Sequence, residues 1–361
     1  MQQESKGKHM DSKIKPLKIG ELTAPVPVIQ GGMGVGISLS RLAGTVAACG
    51  GVGILSAAQI GFQEEGFEKD PIGTNLKAIK KEVCKAREIA NGGIIGINIM
   101  VATQRYEDYV KAAVEAGVDI IISGAGLPVD LPGIVEGSKT KIVPIVSTLK
   151  SAKVICKMWD RHYHRAPDLV VIEGPKAGGH LGFSRKQLEL FTPEVYEQEI
   201  RQIIEFIHEY EKKYQKKIPV IVAGGIFDRE DFLHALELGA DGVQMGTRFV
   251  TTYECDAAEE YKKAYINASQ EDIVLVDSPV GMIGRAVGNA FVRRKDKKEP
   301  VKKCYQCIKT CDPGNTTYCI TRALVKAAKG ETENALVFCG ENAWKCNKIE
   351  YVKDILKELC E

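Results

Sequence analysis

Eight short apolar segments alternate with longer amphipathic segments between about residues 26 and 267. Most of the apolar segments lack the alternation of a half-exposed strand, which is typical of parallel strands buried on both faces. Eight consecutive strand–helix units predict an α/β fold, a (β/α)8 TIM barrel with its active site at the carboxyl ends of the strands. A doubly wound open sheet is the alternative. The predicted strands are 26–30, 52–55, 94–98, 118–122, 142–146, 169–173, 219–223 and 242–246.

Glycines mark the ends of two predicted helices. Gly117 and Gly239 each come shortly before a strand, where glycine typically caps the carboxyl end of a helix. The helices predicted between the barrel strands are 75–91, 105–116, 148–161, 191–213 and 228–238.

The pattern changes after residue 267. Residues 293–303 form a strongly charged run, and a cysteine-rich stretch with predicted helices at 320–329 and 350–359 follows it. This tail is too short for a core of its own, so we expect it to pack against the barrel. The predicted organisation is a flexible N-terminus (1–16), a barrel (17–290), and a basic linker with a cysteine-rich helical extension (291–361).

Composition argues against several classes of function. The 361 residues are 44% hydrophobic and 7% aromatic, as in globular proteins, and 49 basic and 47 acidic residues give a net charge of +2. This nearly neutral charge does not indicate binding to nucleic acid or to membranes. No apolar run reaches the roughly 18 residues of a transmembrane helix, and the polar residues 1–10 are not a secretory signal. We therefore predict a cytoplasmic protein.

The segment 171–184 reads Val-Ile-Glu-Gly-Pro-Lys-Ala-Gly-Gly-His-Leu-Gly-Phe-Ser and carries the strongest functional signal. A strand ends here in a glycine-rich turn, and glycines allow the backbone to approach a ligand closely. His180 stands among the glycines, and a histidine can exchange a proton near neutral pH. The alternative is a histidine that only packs against a cofactor or caps the turn.

Two later strand ends predict a phosphate site. Gly224-Gly225 and Gly246-Thr247 follow the seventh and eighth predicted strands, whose loops bind phosphate in many barrels. Gly31 and Gly32 follow the first strand, and Asn98 and Ser123-Gly124-Ala125-Gly126 end the third and fourth. A phosphate site facing several glycine-lined strand ends suits a flat, phosphorylated cofactor such as flavin mononucleotide (FMN).

The ordered motifs IQGGMG, GINIM, SGAG, EGPKAGGH, VAGGI and QMGTRF resemble the nitronate monooxygenase family, formerly the 2-nitropropane dioxygenases. They are also similar to the FMN-dependent enoyl-acyl-carrier-protein reductases, which share the fold. The resemblance covers roughly residues 17–290 and implies an FMN-binding barrel in which His180 is the active-site histidine. It also implies that FMN contacts Gly31, Gly32, Met33, Asn98, Ser123, Glu173, Gly179, Gly224, Gly225, Gly246 and Thr247.

Two chemistries fit the resemblance. The first is oxidation of an alkyl nitronate with O2, and the second is NADH-dependent reduction of an enoyl thioester, with the flavin performing the redox step in both. Pro175-Lys176 stand where nitronate monooxygenases commonly have an acidic residue, which bears on the substrate. The basic run 293–303 could dock an acidic carrier protein or be a solvated loop. A flavin-binding protein without catalytic turnover is a third possible function. A homodimer is a possible oligomeric state.

Six of the eleven cysteines lie between residues 304 and 346. Cys304, Cys307, Cys311 and Cys319 offer four thiolates, which suit an iron–sulfur cluster or zinc. Their spacing does not match the CxxCxxC of ferredoxins, and unliganded thiols are the alternative. Disulfides are disfavoured without a secretory signal.

Overall fold

The computed structural model describes residues 14–294 and 299–361. The predicted flexible N-terminus falls mainly on residues 1–13, and the centre of the basic run falls on 295–298, so both lie outside the described residues.

Short strands make up the centre of the molecule. In chain order they are β1 (Leu17–Ile19), β2 (Leu22–Ala24), β3 (Val28–Gln30), β4 (Val52–Ser56), β5 (Ile94–Asn98), β6 (Ile120–Ser123), β7 (Lys141–Val146), β8 (Val170–Glu173), β9 (Gly179–His180), β10 (Val220–Ala223), β11 (Gly242–Met245), β12 (Ile273–Asp277) and β13 (Ile283–Val287).

Eight of these strands close into a parallel barrel in the order β3-β4-β5-β6-β7-β8-β10-β11. Closure is made by β11, which pairs in parallel with β3 from Val243–Val28 to Met245–Gln30. The predicted TIM barrel and its eight strands are therefore confirmed, and the open-sheet alternative is wrong because no barrel strand is left as an edge. The β1–β2 hairpin packs Leu17 and Ile19 against side chains from the strand starts, at the end opposite the site described below.

Helices surround the barrel, and several begin at a side-chain cap. Asp70 accepts a hydrogen bond from the Gly73 N–H, and Thr148 and Ser151 form a reciprocal capping box. Gly117 and Gly239 follow their helices with φ of +78° and +105°, as predicted. The helices are α1 (Ser40–Ala48), α2 (Pro71–Ala90), α3 (Tyr106–Glu115), α4 (Leu131–Ile134), α5 (Leu149–Tyr163), α6 (Arg185–Leu190), α7 (Pro193–Tyr214), α8 (Arg229–Glu237), α9 (Thr247–Val250), α10 (Glu259–Ile266), α11 (Ala290–Arg293), α12 (Ile320–Ala328) and α13 (Val352–Cys360).

A small antiparallel sheet lies outside the barrel and was not predicted from the sequence. Strand β13 pairs with β12 on one side and with β9 on the other, so that Gly284 is opposite His180. The sheet therefore fixes the backbone of the predicted catalytic residue. None of the helices in the described parts of the chain combines the length and apolarity needed to span a bilayer.

The tail after residue 299 packs on the barrel. The apolar face of α13, with Val352, Ile355 and Leu359 fully buried, belongs to the same hydrophobic core as the barrel helices. Arg248, buried after β11, donates to Glu350 at 3.2 Å and to Glu358 at 2.5 Å. A buried guanidinium needs such partners because an uncompensated buried charge is costly, so this pair of contacts ties the tail to the barrel.

Replacement of Gly53 by alanine should severely destabilise the fold. A Cβ at Gly53 in β4 would lie 1.8 Å from the carbonyl oxygen of Ala43 in α1. The backbone of β4 or α1 would have to move to relieve this clash. We expect a loss of about 3 kcal/mol or more in the free energy of unfolding, measured by urea denaturation. Gly314→Ala, where the nearest atom is an exposed Asp312 oxygen at 3.4 Å, is the matched control. Equal stability of the two variants would show that the β4–α1 contact is not tight.

Candidate active site

A cavity of about 260 Å3 opens at the carboxyl ends of the barrel strands. Its volume is close to the range of small-molecule sites, roughly 300–1,000 Å3. Every barrel strand contributes at least one lining residue at or just beyond its end: Gly31, Ser56, Asn98, Gly124, Ile145, Glu173, Ala223 and Gln244.

Most of the residues predicted from the sequence meet at this cavity. Those that line it are Gly31, Gly32, Met33, Asn98, Glu173, Gly179, His180, Gly224, Gly225, Gly246 and Thr247. They come from the ends of five barrel strands, β3, β5, β8, β10 and β11, which the barrel topology brings together.

Ser123 is not brought to the cavity. Its side chain is fully buried, its hydroxyl donates to the Ile99 carbonyl at 2.8 Å, and it lies 2.7 Å from the Tyr106 hydroxyl. Successive side chains of a strand point to opposite faces. The next residues, Gly124 and Ala125, line the cavity instead. Ser123, which was predicted to contact a cofactor, therefore lies one position before the cavity wall.

The loops after β10 and β11 carry the glycines of the predicted phosphate site. Gly224 and Gly225 have φ of +91° and +90°, a conformation that glycine adopts without strain. Gly246 precedes the short helix α9. Glycine loops after the seventh and eighth strands, with a short extra helix, form the phosphate site of many TIM barrels.

Lys176 lies against this site. A Cβ at Gly225 would be 2.9 Å from the Lys176 Cδ, so the aliphatic part of the lysine packs over that glycine. Lys176 also lines the cavity. The lysine that departs from the family pattern therefore brings a positive charge to the side of the cavity that would hold an anion.

Gln244 lines the cavity and carries a buried polar atom. Its Oε1 is buried and has no hydrogen-bond partner within the described residues. A buried polar atom without a partner is costly, so a ligand that supplied a donor to Gln244 would be favoured. The isoalloxazine ring of FMN carries an N–H group that can do so.

His180 is held at the cavity wall by two contacts. Its Nε2 lies 2.7 Å from the Ser278 hydroxyl, and its ring meets the edge of Phe338 at a centroid distance of 5.0 Å. Burial lowers the pKa of His180 to about 4. The imidazole is therefore neutral at physiological pH, so one ring nitrogen can accept a proton and the other can donate a hydrogen bond.

Glu173 is the second ionisable group in the cavity. Burial raises the pKa of Glu173 to about 7, so its carboxyl group carries a proton for part of the neutral pH range. The backbone around it is fixed, because the Tyr196 hydroxyl is 3.0 Å from both the Glu173 and Ser147 carbonyl oxygens.

Arg285 of β13 holds the turn between Glu173 and His180. Its Nη1 donates to the carbonyl oxygens of Pro175 at 2.9 Å and Ala177 at 2.5 Å, and its Nη2 lies 3.2 Å from Glu341. The glycine-rich turn is thus set by a buried guanidinium and not by its own sequence alone.

The tail supplies part of the cavity wall, which the sequence analysis missed. Leu324, Phe338, Cys339 and Gly340 line the cavity together with the barrel residues. A Cβ at Gly340 would lie 2.3 Å from the Thr247 hydroxyl. No local sequence pattern predicts this contact, since Gly340 and Thr247 are far apart in the chain.

The predicted metal ligands do not surround a single ion. Within residues 14–294 and 299–361, no three His, Cys, Asp or Glu side chains are arranged to hold one metal ion. Every cysteine in the described residues is a free thiol.

Comparison with known proteins gives consistent matches. The family model for nitronate monooxygenase matches residues 15–361. The probable nitronate monooxygenase of Staphylococcus saprophyticus is 26% identical over 308 residues, which cover 79% of this chain and 82% of that protein. The match to the family model extends through the tail, beyond the residues 17–290 over which the motifs resemble the family.

Two solved structures share the fold. FabK from Thermotoga maritima has a TM-score of 0.69 at 24% identity, covering 92% of this chain and 91% of its own. A nitroalkane oxidase from Streptomyces ansochromogenes has a TM-score of 0.67 at 18% identity, covering 93% and 96%.

The raised pKa of Glu173 makes stability depend on pH. The folded protein binds this proton more tightly than the unfolded chain, whose glutamate has a pKa near 4.5, so the stabilisation is complete below 4.5 and is lost as pH rises through about 7. Glu173→Gln should therefore gain stability relative to the wild type by roughly 1–3 kcal/mol between about pH 5 and pH 9. Urea denaturation of ligand-free protein measures this, with the exposed Glu205→Gln as control. If the free energy of unfolding depended on pH in the same way in the wild type and in Glu173→Gln, the raised pKa of Glu173 would be contradicted.

Proposed function

The chain belongs to the nitronate monooxygenase family of oxidoreductases, and we propose that it binds FMN and oxidises alkyl nitronates with O2. The observation that carries the proposal is the neutral, half-buried imidazole of His180 in a cavity that is also lined by the glycine loops after β10 and β11. That combination provides a proton-transfer group next to a place for a phosphorylated cofactor.

The residues of the cavity fit FMN. Backbone N–H groups of Gly224, Gly225 and Gly246 would receive the phosphate, with the positive charge of Lys176 nearby. The unpartnered Gln244 Oε1 would accept a hydrogen bond from the ring. Gly31 leaves room for the Gln244 side chain, since a Cβ at Gly31 would come within 3.3 Å of it. FMN bound in this way supplies the electron transfer, while the protein supplies placement and proton control.

His180 would act on the substrate carbon or on the nitronate oxygens. As a neutral base it can remove the proton next to a nitro group, and through its N–H it can hold the nitronate that results. Ser278 fixes the imidazole by its 2.7 Å contact and would leave the other ring nitrogen for the substrate. Lys176 would favour an anionic substrate electrostatically.

A second function, reduction of an enoyl thioester with NADH, is favoured by one observation. A further cavity of about 480 Å3 adjoins the first and shares Lys176, Gly224, Gly225 and Ile226 with it. Its wall includes apolar side chains such as Leu188. A nitronate does not need this volume, whereas an acyl chain would.

Replacement of His180 by alanine should separate turnover from cofactor binding. We expect FMN to be retained and turnover to fall by roughly 10²–10⁴-fold, as is typical for loss of a proton-transfer residue. The measurement is steady-state oxidation of ethyl nitronate together with flavin content. His162→Ala, at an exposed position, is the matched control and should keep full activity. Full turnover in His180→Ala would rule out this role for the histidine.

Anaerobic mixing of the yellow protein with ethyl nitronate, and separately with NADH, distinguishes the two functions. Loss of oxidised flavin absorbance with the nitronate, and none with NADH, is the result expected from nitronate oxidation. Rapid bleaching by NADH alone would favour the reductase and make a crotonyl thioester the next substrate to test.

A further inference from the structure

The tail segment 337–342, called the strap below, runs across the wall of the cavity and is anchored to the small antiparallel sheet. The Val287 N–H of β13 donates to the Val337 carbonyl at 2.9 Å, and the Cys339 N–H donates to the Arg285 carbonyl at 3.1 Å. Because β13 also pairs with β9, the strap and the turn that carries the predicted catalytic histidine are held by the same strand.

Two consecutive residues of the strap bind two separate loops of the site. The Glu341 N–H donates to the Lys176 carbonyl at 3.1 Å, in the turn between β8 and β9. The Asn342 Nδ2 donates to the Gly225 carbonyl at 2.7 Å, in the loop after β10. Both Lys176 and Gly225 line the cavity, so the strap holds the backbone of the cavity wall from outside the barrel.

The Asn342 contact fixes the orientation of one peptide group. A trans peptide is planar, and its C=O and N–H groups point in opposite directions. The peptide between Gly225 and Ile226 is trans, like every other described one. Its carbonyl points to Asn342, so the Ile226 N–H points away from Asn342. Gly225 and Ile226 line the cavity whereas Asn342 does not, which directs this N–H to the cavity side of the loop.

The Ile226 N–H has no acceptor of its own in the protein. Across residues 14–294 and 299–361, it donates to no backbone or side-chain group. The following N–H, that of Phe227, is in contrast bound to the Asp231 carboxylate at 2.9 Å. Backbone N–H groups are nearly always paired with protein, water or ligand. A free N–H next to Gly225, over which the Lys176 side chain packs, is suited to an anion.

We propose that Asn342 is a positioning residue for the phosphate group of the cofactor. By holding the Gly225 carbonyl, its carboxamide aims the Ile226 N–H at the phosphate, which would accept that hydrogen bond. Without Asn342, the phosphate itself would have to orient the peptide, and the cost of that ordering would lower the affinity. This inference rests on the proposed binding of FMN and adds to it a residue of the tail.

The test compares FMN with riboflavin, which has the same ring and ribityl chain but lacks the phosphate. The full-length protein is freed of flavin and titrated with each compound, and the dissociation constant is measured from the change in flavin fluorescence. We expect Asn342→Ala to weaken FMN binding by roughly threefold to tenfold, the effect of one lost hydrogen bond, and to leave riboflavin binding unchanged.

A second variant and a matched control accompany this comparison. Asn342→Asp keeps the size of the side chain but removes its N–H donors and places a carboxylate beside the Gly225 carbonyl. It should weaken FMN binding at least as much as Asn342→Ala does. Asn347→Ala, at an exposed asparagine of the same tail, is the control and should bind both flavins as the wild type does. Urea denaturation shows whether each variant is folded.

Two results would overturn the proposal. One is equal affinity for FMN in the wild type and in folded Asn342→Ala. The other is a loss of affinity by the same factor for FMN and for riboflavin, because Asn342 would then only stabilise the loop. If Asn342→Ala does not fold, the same comparison with Asn342→Asp decides. Wild-type protein that binds no FMN would contradict the proposed function itself, so the two failures are distinguishable.

Discussion

The active-site cavity depends on backbone segments that approach one another more closely than side chains would allow. A Cβ at Gly32 would lie 2.4 Å from the Asn98 Cβ, and one at Gly178 would lie 2.6 Å from the backbone of Cys339. The first contact joins two barrel strands, and the second joins the turn before His180 to the tail. These glycines are required at particular contacts, and together they set the shape of the cavity floor and of the wall supplied by the tail.

The same close packing determines the electrostatics. His180 and Glu173 are half-buried in the cavity wall, and burial moves the pKa of the histidine down to about 4 and that of the glutamate up to about 7. The imidazole is therefore neutral near neutral pH, the glutamate is divided between its protonated and ionised forms, and Lys176 is the cation beside Gly225. A cavity with a neutral imidazole, a glutamate that titrates near neutral pH and one cation suits an anionic ligand whose reaction moves a proton.

The barrel and most of the site could be predicted because their signals are local. Each strand end carries its own glycines or polar residue, and the barrel topology brings those ends together, as for Gly225 and Asn98. Ser278 could not be predicted, since it stands 98 residues from His180 and meets it through an unpredicted sheet. Ser123 was misplaced because the motif does not reveal which side chain of a strand end faces inward. The part of the cavity wall that the tail supplies depends on tertiary packing, which no sequence motif predicts.

The most direct test of this account is the identity and amount of the flavin released from the purified protein by heat. The account predicts one FMN per chain, because the cavity at the barrel end offers a cradle for one phosphate beside the acceptor of Gln244. Release of FAD, or protein without flavin that fails to take up added FMN, would contradict it.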